Sequence, residues 1–211
     1  MLTEKGKLQR ENILNKAMEL LLEVGIDSLS HKLISDELSL SKSAVLYHYP
    51  SKKALIEGLV NHYVEHLKIQ LQCHEAPYIA RGLRPKNAVL PGMRSWYYSF
   101  SKNRKRWIEI GTALLSLAHE DPSLLEPLRQ WYRDLYRTLE ASDLDHTRAF
   151  NVMMAFDGFF NASKLGIMVM APDEVERMQI RLLESAFEGR PPEELAIALD
   201  EACLLQGDQN A

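Results

Sequence analysis

The stretch that most restricts the fold lies between Ser51 and Gln72. There Leu55, Leu59, Val60, Tyr63, Val64, Leu67 and Leu71 recur at intervals of three and four residues. That spacing lays one apolar stripe along an amphipathic helix. At a rise of about 1.5 Å per residue the helix is roughly 30 Å long, and its stability comes mainly from burying the stripe against other elements. A helix of this length suits a connector from a small domain into a larger one. Elsewhere too the apolar residues keep helical spacing, strand-type alternation is absent, and no internal repeat appears. The expected fold is all-α, with a three-helix helix-turn-helix domain over residues 1–53 joined by the long helix to a helical domain over residues 54–211.

The totals agree with this picture. A chain of 211 residues with 46% hydrophobic content can bury a sizeable core without disulfides. Its two cysteines, Cys73 and Cys203, are not in CxxC spacing, which fits a reducing compartment. The start, MLTEKGKLQR, lacks a signal-type apolar region, and no apolar run is long enough to span a bilayer. A cytoplasmic protein with no membrane partner is expected. The net charge of −4 is unevenly spread: residues 1–53 carry eight Lys and Arg against seven Asp and Glu, and the remaining seventeen and twenty-two lie beyond. Overall acidity limits non-specific attraction to nucleic acid, yet Lys42, Lys52 and Lys53 form a local basic patch able to meet phosphates.

Taken in order, residues 8–24 place Ile13, Leu14, Ala17, Met18 and Leu21 on one helix face, with Gly25 at the position after its end. Ser30 caps a second helix over 31–38 that buries Leu33, Ile34 and Leu38. After Ser39-Leu40-Ser41 a short third helix, Lys42–Tyr49, stops at Pro50, and Ser51 caps the long one. Two short helices joined by a tight turn after a longer support helix make a helix-turn-helix. Residues 75–92 hold three prolines and two glycines and read mostly as loop. Helices follow at about 93–102, 104–119, 122–141, 145–169 and 172–188, with a last short one at 192–204. Pro122 and Pro172 suit first helical positions, and Pro127 is expected to interrupt or kink its segment.

Ser41–Lys53 is the most chemically dense segment. Lys42, Ser43, Leu46 and Tyr47 project from the first turns of the short helix, while Leu40 and Val45 face inward. A DNA major groove admits such a helix, its N-terminal side chains meeting base edges. Tyr47 and His48 offer polar tips to phosphates, and Lys52 can meet one beside the next helix N-terminus. Ser30, His31 and Ser41 complete the candidate DNA-binding set. An ordinary polar helical hairpin is the alternative.

Residues 25–55 resemble the DNA-binding domain of the tetracycline-repressor (TetR) family of bacterial transcriptional regulators. The resemblance rests on Gly25, Ser30, Ile34 and Leu40-Ser41-Lys42. Its strongest piece is Leu46-Tyr47-His48-Tyr49-Pro50-Ser51-Lys52 followed by Leu55. Three positions depart from the family pattern: Ser39 replaces the usual turn glycine, Leu46 the common aromatic, and Ser43 a frequent glycine. The resemblance implies a homodimeric repressor of palindromic double-stranded operator DNA. Its C-terminal domain would bind an unidentified small-molecule effector and dimerise through its last two long helices. An architectural helix-turn-helix protein without an inducer, or an all-α enzyme, are the alternatives. No Walker loop, GxGxxG, GxSxG or HExxH is present, so the expectation is no enzyme and no cofactor.

In the C-terminal region Trp96, Tyr97, Phe100, Trp107 and Trp131 are candidates for lining an effector pocket. Phe150, Met153 and Met154 are candidate apolar walls, and Asn151, Asp157 and His119 candidate polar groups. Simple core packing is the alternative for each. Residues 149–160, AFNVMMAFDGFF, are apolar nearly all round, and such a helix needs two burial partners. A second copy supplies one if 145–169 and 172–188 form an intersubunit four-helix bundle, with Val152, Phe159, Met178 and Leu182 at the interface; a wholly internal helix is the alternative. His62, His66 and Cys73 fall along one edge of the long helix, a pattern read as a solvated edge rather than a metal site, since ligands on one helix rarely converge. The basic run 102–106 reads as a solvated helix junction.

Overall fold

The computed structural model describes residues 3–103, 105–116 and 121–187, and the side chains of all of these except 100–107, 115 and 116. Every regular element among them is helical: α1 (Glu4–Ser28), α2 (His31–Glu37), α3 (Lys42–His48), α4 (Lys52–Ala80), α5 (Val89–Asn103), α6 (Lys105–Ser116), α7 (Glu126–Glu140), α8 (His146–Lys164) and α9 (Pro172–Ala186). Short 3₁₀ turns occur at Pro85–Asn87 and Pro122–Leu125. The final helix expected at 192–204 lies outside the described residues.

The chain forms two compact units, Met1–His66 with Lys105–Gln130, and Leu67–Arg104 with Trp131–Ala211. A cut at residue 53 falls inside the first unit, because α4 contributes to both. In the first unit α1 buries Ile13, Leu14, Ala17, Met18, Leu20 and Leu21 and packs against α6, while α2 packs against α1 and α3. Gly25 interrupts α1 at φ 76°, ψ 169°, a conformation reached almost only by glycine. In the second unit α5, α8 and α9 pack mutually.

The helix ends follow local chemistry. Ser30, Ser41 and Ser51 each accept a backbone N–H from three residues on, at 3.2, 3.1 and 3.0 Å, satisfying donors that the first turn leaves unpaired. At the other end, α2, α4 and α8 share one stop. Leu40, Leu83 and Ile167 donate their N–H to the carbonyls of Ser35, Tyr78 and Ala162, and the residue before each donates to Asp36, Ile79 and Ser163. This paired motif requires positive φ at the residue past the cap. Gly82 and Gly166 supply it at 103° and 68°, but Ser39 does so at 53°, where a side chain is strained.

Two expectations change. The long helix does not give way to loop at residue 75; it runs to Ala80 with Pro77 inside it. Of the three prolines that indicated loop, Pro85 opens a 3₁₀ turn and Pro91 lies in the first turn of α5, where a missing N–H costs nothing. The eighth helix ends at Lys164 rather than 169, stopped by Gly166. Pro127 coincides with the change from 3₁₀ turn to α7.

Candidate nucleic-acid interface and effector region

The short helix α3 is fixed at both ends and through its middle. Ser41 Oγ caps it and shares a hydrogen bond with Ser43 Oγ at 2.9 Å. Val45 is fully buried. At its end Tyr49 is buried, and its hydroxyl accepts from Arg10 Nε at 3.1 Å, with that guanidinium 5.4 Å above the ring. Burial raises the Tyr49 hydroxyl pKa and Arg10 opposes the rise. His31 Nε2 donates to the Tyr49 carbonyl at 2.7 Å, which fixes the imidazole tautomer. A Cβ on Gly58 would meet Tyr49 Cε1 at 2.6 Å, so the bare backbone of α4 receives this ring. One tyrosine thus ties α1, α2 and α4 to the end of α3.

The outward side of α3 presents Lys42, Ser43 and Tyr47, the last 74% exposed. The Tyr47 ring meets His48 edge-on at 5.1 Å. Beside them a cleft of about 290 Å³ is lined by Thr3, Lys5, Gly6, Gln9, Ala44, Tyr47 and His48. It places the start of α1 next to α3, with Lys5 and Tyr47 both on its wall. The sequence reading missed Thr3 and Lys5, because nothing local couples residues 3–9 to residues 44–48.

The expected DNA-binding residues divide accordingly. Lys42, Ser43 and Tyr47 share the exposed face, and Ser30 and Ser41 are exposed with their oxygens engaged as caps. Leu46 is half-buried, and His48 half-buried along the cleft. His31 is half-buried and engaged with the Tyr49 carbonyl at the end of α3. Lys52 is exposed, and its Nζ donates to the Asp27 carbonyl at 2.8 Å; that acceptor is neutral, so the ammonium keeps its charge and two further donors. Lys53 pairs with Asp121 at 2.8 Å, and that bond, with help from Ser123, holds the Asp121 carboxyl down to about 2. Of the three-lysine patch, Lys53 is paired with a carboxylate, while Lys42 and Lys52 keep their charge at the surface.

In the second unit Trp96, Trp131 and Phe160 form an aromatic cluster, Trp96 lying 6.4 Å from each of the other two rings. Tyr97 packs on Phe159 at 6.3 Å and shares a hydrogen bond with Ser163 at 2.7 Å. Met153 is fully buried. Burial pushes the Asp157 carboxyl up to about 6 against the pull of a Tyr132 hydrogen bond. Trp96, Tyr97, Trp131, Met153 and Asp157 thus belong to the interior side of this unit. Phe150 and Met154 do not: both face outward, Met154 at 51% exposure, with Tyr136 stacked on Phe150 at 4.6 Å. Val152 errs in the opposite sense, being 1% exposed within its own unit and closed to a second chain. Phe159 and Leu182 are half-buried and Met178 exposed. The side chains of Phe100 and Trp107, the basic run 102–106, and His119 lie outside what is described. Among the described residues no group of three His, Cys, Asp or Glu is placed to hold a metal ion; His62 Nε2 instead meets Asn15 Oδ1 at 3.1 Å.

Two family descriptions match the chain: "Bacterial regulatory proteins, tetR family" over residues 13–59 and "Tetracyclin repressor-like, C-terminal domain" over residues 96–186. The tetracycline repressor protein class C of Escherichia coli is 36% identical over 54 residues, covering 26% of this chain and 25% of that protein. The match therefore spans about a quarter of that curated relative. Among solved structures, a transcriptional regulator from Rhodococcus sp. Rha1 superposes with TM-score 0.63 at 20% identity, covering 87% of this chain and 99% of that one. The multidrug binding protein EbrR, solved with imidazole, gives TM-score 0.62 at 19% identity over 82% and 94%. At such identities these likenesses show a shared fold.

Proposed function

The chain belongs to the tetR family of bacterial regulatory proteins, and on that footing we propose that it is a homodimeric repressor of palindromic double-stranded operator DNA, released by a small apolar or amphipathic effector. The observation that carries this reading is the clamped α3. Its inward side is locked by Val45 and Tyr49, leaving Lys42, Ser43 and Tyr47 to face a major groove. Lys5, on the wall of the cleft beside Tyr47, would add a contact from the start of α1 to the flanking phosphate backbone.

In a dimer two copies of α3 enter successive major grooves, about 34 Å apart. The effector binds the second unit better in a conformation whose α4 sets the two recognition helices at the wrong spacing. An effector with no such preference does nothing; moving the population from 1:99 to 99:1 takes a preference of roughly 10⁴. Among the described residues no helix is long and apolar enough to cross a membrane, and the proposed site of action is cytoplasmic DNA. The protein acts here by binding and not by catalysis.

Selection from random DNA, repeated with candidate metabolites, tests the reading: a palindromic consensus is expected, and a pool without enriched sequence overturns it. On the selected site, Lys42→Ala lowers affinity and flattens the slope of log K against log salt by about 0.9. An unchanged slope removes Lys42 from the phosphate contacts.

A further inference from the structure

Two donors inside the second unit lack an acceptor. Arg94, on α5, is 7% exposed; its Nε has no hydrogen-bond partner, and its Nη2 reaches Glu176 Oε1 only at 3.4 Å. A charge-assisted bond normally runs about 2.7–2.9 Å. Gln179, on α9, is 2% exposed and its Nε2 is also unpaired. Positions three apart on a helix share a face, so Gln179 lies on the side of α9 from which Glu176 approaches Arg94. Buried polar groups are nearly always satisfied, and unmet ones call for an occupant. A buried guanidinium demands good geometry and complete hydrogen bonding in particular. Glu176 gives neither, and its side chain is 40% exposed, so water competes for it.

We propose that Arg94 and Gln179 anchor a carboxylate, and that the effector is an amphipathic acid whose head group takes the place Glu176 now holds. The Nε and Nη2 edge of Arg94 engages both oxygens of the ligand, as a planar guanidinium does best. Gln179 Nε2 donates to one of them, and Glu176 turns to solvent. One carboxylate replaces another, so the buried charge stays balanced; a doubly charged phosphate would leave one charge uncompensated. Leu90 and Tyr97 flank Arg94 on the same face of α5 and are buried, giving the alkyl body an apolar wall. The inference rests on the reading that the second unit binds the effector, and it narrows that effector to one chemical class.

The full-length protein is titrated with the straight-chain acids hexanoate to tetradecanoate and with the matching alcohols, followed by tryptophan fluorescence and thermal shift. The best acid is expected to bind at least tenfold more tightly than its alcohol. Arg94→Met is expected to remove that preference and leave alcohol binding alone, Arg94→Lys to restore part of it, and Glu176→Gln to tighten acid binding severalfold by removing the competitor. Equal affinity for acid and alcohol, no saturable acid binding, or unchanged acid affinity in folded Arg94→Met overturns the anchor. Should Arg94→Met fail to fold, Glu176→Gln decides: unchanged or weaker acid binding counts against the anchor. Release from selected DNA is measured separately. Acid binding without release leaves the anchor standing and sinks the effector reading; equal release by alcohol and acid does the reverse.

Discussion

Gly58→Ala sets two effects of opposite sign against each other at one atom. In a helix interior alanine is favoured over glycine by about 1 kcal/mol. At Gly58, however, the new methyl meets Tyr49 Cε1 at 2.6 Å and Leu14 Cδ2 at 3.2 Å. Carbon contacts are comfortable at about 3.5–4.0 Å, so the ring must retreat by about 1 Å. Tyr49 has little room to do so: it is buried, its hydroxyl is held by Arg10 and its carbonyl by His31. Overpacking of this kind costs about 1–3 kcal/mol. The clash therefore wins, and the variant is expected to lose about 1 kcal/mol net and to bind DNA more weakly, because Tyr49 carries the end of α3. Tyr49→Leu provides the control, since a leucine ends short of the Cε1 position. In that background Gly58→Ala is expected to change sign and stabilise by up to about 1 kcal/mol. Urea unfolding of the four proteins, followed by far-UV circular dichroism, measures the cycle. A stabilising Gly58→Ala in the wild-type background, or the same cost in both, would refute the reasoning.

Ser39→Gly is expected to stabilise by about 0.5–1 kcal/mol, the relief of positive φ exceeding the chain entropy of glycine; a lowered melting temperature would contradict the strain. If the proposed dimer pairs through the exposed side of α8, where Met154 lies, Met154→Glu is expected to keep the fold and separate the two copies, while Val152→Ala, inside its own unit, costs about 2 kcal/mol without altering the oligomeric state. Sedimentation and unfolding of the two variants test this, and a reversed pattern would exchange their faces. Burial pushes the Glu75 carboxyl from its ordinary 4.5 up to about 7. A raised carboxylate pKa gives stability that is present below the ordinary value and lost as pH rises through the folded one. Between about pH 5 and about pH 8, wild type should therefore lose stability relative to Glu75→Gln; parallel melting curves would show that Glu75 does not titrate in this way.

What could be read from the sequence was what short-range chemistry decides. Ser30, Ser41 and Ser51 cap helices because the donors they satisfy lie three residues away. The outward placement of Lys42 and Tyr47 follows from inward Val45 on a short helix. The phase of 149–160 did not follow, because a segment apolar all round carries no mark of its buried side; it is the packing of α8 on α5 and α9 that distinguishes Ala149, Val152, Met153 and Phe156 as the buried ones. The prolines of 77–91 misled because their number argued for loop while their positions within helical turns permit helix. Arg10 on Tyr49 and Lys53 on Asp121 join residues 39 and 68 apart, and no local pattern announces such a pair.

The division of the chain between its units has a bearing on biosynthesis. The packing of α6 on α1, and the Lys53–Asp121 pair, bring residues 105–130 back to the amino-terminal unit. A nascent chain that has just delivered α4 lacks these partners. At about 5–20 residues per second, the ribosome needs several more seconds to supply them. During that interval the apolar side of α1, with Ile13, Leu14 and Leu21, waits for the surface that will cover part of it. The segment carrying α3 is thus translated early but finished late, and a gene fragment ending at residue 66 would encode α3 without all of its support.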